Sequence, residues 1–209
     1  MSQFFGATQR ALQDKFDTRR IADLVEGGFV ADEVSEADQA FIESRDMFWL
    51  STIDMNGAPT VSYKGGDPGF IKVVDSKTIA FPSYNGNGMF YSMGNIESSG
   101  QVGMLFMDFE KPNRMRLQGT ATVSDDDPLM SEYKEAQLIV RVKVERVWPN
   151  CPRYVHRMKK ETASRYVPRD GVDTPLAGWK RVDIVQDALP AEDQGRADKE
   201  GGQLSVEEW

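Results

Sequence analysis

The chain has little of what protein-only chemistry depends on. Its 209 residues include one cysteine, Cys151, and one histidine, His156. A lone cysteine excludes an intrachain disulfide and a thiolate zinc site, and a lone imidazole makes a histidine-based metal centre improbable. No serine sits in a nucleophile elbow, and the closeness of Cys151 and His156 in sequence does not make a dyad, so the hydrolytic constellations are missing or incomplete. There is no apolar run of about eighteen residues, and no basic start leads into an apolar segment. Neither a membrane span nor a signal peptide is therefore expected, and the cytoplasm is the expected location. Positive charge is also scarce: 25 Lys and Arg stand against 33 Asp and Glu, a net charge of −8. That balance argues against nucleic acid as a partner, because binding phosphate backbones relies on clustered cations.

What is present suffices for one core. With 40% hydrophobic and 10% aromatic residues, a chain of this length can bury one principal domain. Charge is unevenly spread. Between Arg141 and Arg169 nine Lys and Arg stand against only Glu145 and Glu161, whereas the residues beyond Lys180 are mostly acidic. A local basic strip in an acidic protein suits a small anionic ligand, or equally a solvated face that balances acidic neighbours.

Residues 1–34 read as a helical arm. Phe4, Phe5, Leu12 and Phe16 lie among polar residues, and Thr18 is placed to cap a second helix through Ile21, Leu24 and Val25 that Gly27-Gly28 would end. Ser35 with Asp38 forms a capping box ahead of Phe41 and Ile42. A β region begins at Met47: MFWLSTID, a turn at Asn56-Gly57, then PTVSYK as the partner strand. Phe70–Val74 and Lys77–Phe81 suggest another hairpin, Val102–Met107 a strand buried on both faces, Arg114–Ser124 a further strand, and Leu138–Val147 a half-buried one. Asp127-Pro128 starts a short helix between the last two. Val182, Ile184 and Val185 suggest a final strand, and 190–209 reads as a flexible acidic tail in which Leu204, Val206 and Trp209 are the apolar residues left to dock. Short strands joined mostly by hairpins predict a mainly β fold with flanking helices, an antiparallel barrel closed on itself. The expected organisation is an arm over 1–34, a barrel domain over 35–189 and a tail over 190–209.

The stretch from Phe81 to Phe109 carries the functional signal. It reads as a strand, a loop at Asn85-Gly86-Asn87-Gly88, a helix carrying Met89, Met93 and Ile96, a stop at Gly100 and another strand. A helix entered from such a loop offers unpaired N–H groups and a positive dipole end to an anion. The loop matches neither a P-loop nor a GxGxxG motif, and an ordinary glycine-rich connection is the competing reading.

The ordered combination GAPTVSYKGG, a strand ending FP, YNGNGMF, SMGNI, VGMLFMDF and RMRLQGTATV resembles the pyridoxamine 5′-phosphate oxidase-like family of FMN-binding split barrels, over roughly residues 35–166. Within it, GNGM and NCPRY are most similar to an uncharacterised flavin-nucleotide-binding branch. The resemblance implies an antiparallel split β-barrel, a homodimer with FMN in clefts between subunits, and a small-molecule substrate. By the same resemblance Val61, Ser62, Tyr63 and Lys64 form the strand along the flavin ring and ribityl chain, Pro82 and Ser83 the strand end beside the ring edge, and Asn87, Gly88 and Met89 the phosphate loop. Many members carry basic residues where Gly88 and Met89 stand, which passes the phosphate's charge to Lys64, Arg114 and Arg116. NCPRYVHR is similar to a late segment near the flavin or substrate, which makes Arg153, Tyr154, His156 and Arg157 candidate substrate residues. No metal and no catalytic residue is implied. The expected activity is that of an FMN-dependent oxidoreductase acting on a small organic substrate, with a non-catalytic flavin- or haem/tetrapyrrole-binding barrel as the alternative.

Overall fold

The computed structural model describes residues 2–208. Packing divides the chain into two units, Met1–Lys160 and Glu161–Trp209. The first is built on seven strands: β1 (Met47–Ile53), β2 (Pro59–Gly65), β3 (Lys72–Asp75), β4 (Thr78–Tyr84), β5 (Gln101–Asp108), β6 (Asn113–Ser124) and β7 (Ala136–Asn150). They form one antiparallel sheet in the order β2-β1-β5-β6-β7-β4-β3, a mainly β split barrel with flanking helices. The barrel is not closed as strand counting suggests, because its end members β2 and β3 do not pair. The connection between them explains this: Gly66 N donates to Asp46 O at 2.9 Å and Gly69 N to Glu43 O at 2.7 Å, turning the chain away from the free edge of β2.

Period-two patterning sets which face is buried. Phe48 and Leu50 of β1, Phe81 of β4, Phe106 of β5, and Val140 and Val142 of β7 are fully enclosed. Phe48 meets Phe81 edge-on at 4.9 Å and tilts against Phe106 at 5.6 Å. Each such side chain contributes about 1.5–3 kcal/mol by burial. β5 departs from the expectation of burial on both faces. Val102, Met104 and Phe106 are buried, whereas Gly103, Leu105 and Met107 lie half-exposed on an outer face that nothing in the unit fully covers.

Three helices precede the sheet: α1 (Ala7–Lys15), α2 (Arg19–Phe29) and α3 (Glu36–Glu43). The capping box forms as expected, Asp38 N donating to Ser35 Oγ at 3.2 Å and Ser35 N to Asp38 Oδ2 at 3.1 Å. α2 runs through Gly27-Gly28 to Phe29 instead of stopping there. The reason lies just past the glycines, where Ala31 exchanges both backbone hydrogen bonds with Val147, at 3.0 and 2.8 Å, and so holds the helix exit in place.

In the second unit, short 3-10 helices at Gly178–Arg181 and Asp183–Ala188 replace the strand expected around Val182–Val185. The acidic run folds back within that unit. Lys180 and Asp193 are both buried and paired at 2.5 Å, and Arg196 joins Asp193 to Glu200. The packing boundary thus falls at 160/161 instead of 189/190, because these pairings do not show in composition. Trp209 lies outside the described residues. Among the described residues no helix is long and apolar enough to cross a membrane, and no group of three or more His, Cys, Asp or Glu side chains is placed to hold a metal.

Candidate functional site

β4 carries Pro82 without loss, since β3 pairs only as far as Ala80 and the proline has no neighbour there to which an N–H would donate. Pro82 itself is buried and Ser83 half-buried. Beyond Tyr84 the chain opens, and residues 85–91 are all exposed. Asn87 Oδ1 accepts from Met89 N at 3.1 Å, Gly88 takes a φ of +75° and Phe90 one of +48°, and α4 (Tyr91–Ser99) begins. Gly100, at φ +68°, ends the helix as a left-handed cap, where glycine meets least strain. Its first backbone bond is Gly94 N to Phe90 O at 2.7 Å, and no side chain caps it. Among the described residues the N–H groups of Tyr91, Ser92 and Met93 therefore have no acceptor, and the loop leaves them reachable.

The hairpin β1–β2 packs beside this helix through hydroxyls. Ser62 Oγ lies 3.1 Å from Ser92 Oγ, Asn95 Nδ2 donates to Thr52 Oγ1 at 3.0 Å, and Thr52 Oγ1 lies 2.8 Å from Thr60 Oγ1. Tyr91 OH donates to Asp54 Oδ2 at 3.2 Å. The amides of Ala58 and Asn56 hold the Asp54 carboxyl below the usual carboxylate range, with Tyr91 adding to the effect. Lys64 shares the inward face of β2 with Thr60 and Ser62. It is half-buried and has no hydrogen-bond or ion-pair partner among the described residues, and burial lowers its pKa from 10.5. An ammonium so placed costs free energy until an anion joins it.

The other predicted cations do not join Lys64. Register carries Tyr63 opposite Trp49, Trp49 opposite Leu105, Leu105 opposite Arg116 and Arg116 opposite Trp148, a single row on the outer face. Arg114 lies on that face too, its Nε donating to Cys151 O at 3.1 Å, while Arg116 is exposed and without a partner among the described residues. Val61 and Tyr63 point outward as well, 68% and 62% exposed. Local desolvation nevertheless pushes the Tyr63 phenol up, helped by the Asp46 carboxylate and opposed by Lys160. The predicted set is therefore divided by β2: Ser62 and Lys64 lie inside with the α4 terminus, and Val61, Tyr63, Arg114 and Arg116 outside. Arg153, Tyr154, His156 and Arg157 are exposed on the segment after β7. Ser92, Asn95, Thr52 and Thr60 were not anticipated. For Thr60 the available signal is the hydroxyl that alternates with Ser62 in PTVSYK, on the face where a core strand would be apolar.

A sequence profile described as pyridoxamine 5′-phosphate oxidase matches residues 34–155, more than half of the chain. No curated protein sequence matches it. Solved structures similar to it include HupZ from Group A Streptococcus, at 18% identity over 56% of this chain and 93% of that one, with a TM-score of 0.45. A Clostridium acetobutylicum protein of the pyridoxinephosphate oxidase family, related to general stress protein 26, matches at 14% identity over 55% of this chain and 85% of that one, TM-score 0.40. HutZ, the haem storage protein of Vibrio cholerae, matches at 17% identity over 55% of this chain and 93% of that one, TM-score 0.41.

Proposed function

This chain belongs to the pyridoxamine 5′-phosphate oxidase family, and on that premise we propose that it is an FMN-dependent oxidoreductase acting on a small organic substrate as a cytoplasmic homodimer. The observation that carries the reading is Lys64, a half-buried cation without a counter-charge on the strand that also presents Ser62 to an open helix N-terminus.

The residues present suit the phosphate end of FMN. That group brings about −1.5 to −2 charges and three acceptor oxygens. The first-turn N–H groups of α4 and the ammonium of Lys64 are donors with capacity to spare, and a phosphate would compete for the hydrogen bond that Ser62 and Ser92 share. A Cβ at Gly88 would meet nothing within 4 Å, so Asn87, Gly88 and Met89 leave the approach open. Val61 and Tyr63, on the opposite face of β2 from Lys64, would flank the ring of the flavin held by the second subunit, while Pro82 and Ser83 would lie toward the edge of the ring whose phosphate Lys64 holds. When bound, the flavin supplies two-electron redox chemistry, and the protein contributes binding, orientation and exclusion of water.

The dimer is supported by apolar surface. Val61 of β2 and Met89 of the loop are 68% and 67% exposed, and Phe90 and Tyr91 are exposed as well. Exposed apolar side chains of this kind would suit an interface. In a dimer, Arg114 and Arg116 would serve the cleft of the second subunit, which accounts for their facing away from Lys64. Arg153, Tyr154, His156 and Arg157 would then meet the substrate.

Purification of the full chain followed by visible spectroscopy and mass spectrometry of any released ligand tests the proposal. Flavin bands with FMN released at one per chain are expected. A haem Soret band would replace the flavin reading with a tetrapyrrole one, and failure to take up added FMN would refute it.

A further inference from the structure

The segment SMGNI of α4 puts an asparagine where packing against a sheet asks for an apolar residue. Asn95 is buried beside Met93 and Ile96, and asparagine is among the weaker helix formers. Its partner is no less out of place. Thr52 stands on the core face of β1 with Phe48 and Leu50, and is 1% exposed. Among the described residues these two are the buried polar residues of the first unit, and they bond each other, Asn95 Nδ2 donating to Thr52 Oγ1 at 3.0 Å. Thr52 carries the contact across the hairpin to Thr60 Oγ1, 2.8 Å away on the residue that faces it in register.

Two rungs therefore join helix and hairpin, one from Asn95 through Thr52 to Thr60 and one from Ser92 to Ser62. Thr60 and Ser62 are two apart on one face of β2, about 7 Å along the strand, and Ser92 and Asn95 are three apart on α4, about 4.5 Å along its axis. Apolar contacts are non-directional and tolerate sliding, whereas a hydrogen bond weakens quickly away from its distance and line. Two rungs at different heights fix slide and rotation together. What they fix is the open first turn of α4 relative to Lys64, the next inward residue of β2 after Ser62. A phosphate competes for the Ser62–Ser92 bond, but the Asn95–Thr52 bond is buried out of a ligand's reach and keeps the setting. The pair adds little to stability, since a buried bond between neutral groups can be exchanged for apolar groups of the same shape at almost no cost. Residues placed against local preference with no such gain mark a functional setting.

We infer that Asn95 and Thr52 are positioning residues, which hold α4 at the one setting along β2 where its first-turn N–H groups and Lys64 face the same phosphate. The inference deepens the flavin reading and rests on it for the identity of the molecule that carries that phosphate.

The test uses the full chain with both partners replaced together, Thr52→Val with Asn95→Leu, so that neither is left buried without its bond. The flavin-free double variant should melt at the parent's temperature or higher. Its FMN affinity, read from flavin fluorescence, should fall about tenfold, the loss expected when one charge-assisted bond is misaligned. Riboflavin, which has no phosphate, should bind both chains alike, and Thr52→Ser, which keeps the hydroxyl, should bind FMN as the parent does. Unchanged FMN affinity in the double variant, or an equal loss of FMN and riboflavin, would overturn the inference. So would a double variant that melts far below the parent, since the pair would then be structural. Inorganic phosphate separates this inference from the flavin reading. Should the parent take no FMN, its Ser92 amide NMR signal should still move saturably with phosphate, and less so in the double variant. Equal movement in the two chains, or none in either, would overturn the inference as well.

Discussion

Replacing Lys64 by methionine should push two measurements in opposite directions. The ammonium is half-buried with no partner, and burial lowers its pKa from 10.5. The folded chain therefore holds this proton less tightly than the unfolded chain. In the window between the lowered folded pKa and 10.5 the unfolded state binds more protons, so stability rises with pH there, and below that window the charge is a constant burden on the flavin-free fold. Methionine keeps most of the apolar stem and removes the charge, so the flavin-free variant should melt at the same temperature as the parent or higher. With FMN the sign reverses. A charge-assisted hydrogen bond to the phosphate is worth about 1.5–3 kcal/mol, which corresponds to a Kd about ten- to hundredfold weaker in Lys64→Met. Riboflavin, which lacks the phosphate, should bind parent and variant alike. Fluorescence titrations with both ligands and thermal melts of flavin-free protein supply the data. In the parent, FMN affinity should decline as pH rises above the lowered Lys64 pKa of the flavin-free chain, and the variant should lack that limb. Unchanged FMN affinity in Lys64→Met would refute the assignment of Lys64 to the phosphate. A destabilised flavin-free variant would show that the ammonium has a structural partner instead.

Other substitutions probe the frame. Gly119 sits at the bulge between β6 and β7, and a Cβ there would lie 2.1 Å from Lys143 O. Gly119→Ala should cost about 3 kcal/mol or more in chemical denaturation, and a loss under about 1 kcal/mol would mean the bulge can shift. Asp127 accepts two bonds from Arg141, at 2.5 and 2.9 Å, and these chiefly hold its carboxyl below the ordinary 3.8. Its contribution is complete above 3.8 and lost as pH falls through the lower folded value, so Asp127→Asn should flatten the acid limb of a pH–stability curve. An unaltered limb would assign that limb to other carboxylates. Val61 is 68% exposed, so Val61→Asp should leave the melting temperature of an isolated chain nearly unchanged yet shift the assembly toward monomer in sedimentation experiments. A dimer unaffected by that change would place the interface elsewhere.

The strands were readable because MFWLSTID and PTVSYK alternate about a strong Asn56-Gly57 turn, and the helix because Met93 and Ile96 fall at helical spacing ahead of Gly100, although Met89, counted with them, lies in the exposed loop before Tyr91. The split in the barrel came from the family resemblance and not from strand counting, since Gly66 and Gly69 bond back to Asp46 and Glu43, contacts that no local pattern announces. Within the site, Lys64 and the α4 terminus could be picked from the loop and the strand that flank them. That Arg114 and Arg116 share a face follows from their spacing of two. Which face that is relative to Lys64 depends on the register through β5 and β1, and this is set by cross-strand packing instead of by either segment alone. The hydroxyls of Thr52, Thr60 and Ser92 stayed hidden for a similar reason, because a polar contact between hairpin and helix exists only once both are in place.

A crystal structure of the full chain grown with FMN tests the central claim most directly. The phosphate should lie within hydrogen-bonding distance of the Ser92 amide and the Lys64 ammonium, beside Ser62. A phosphate bound anywhere else, with the α4 first turn still facing solvent, would contradict it.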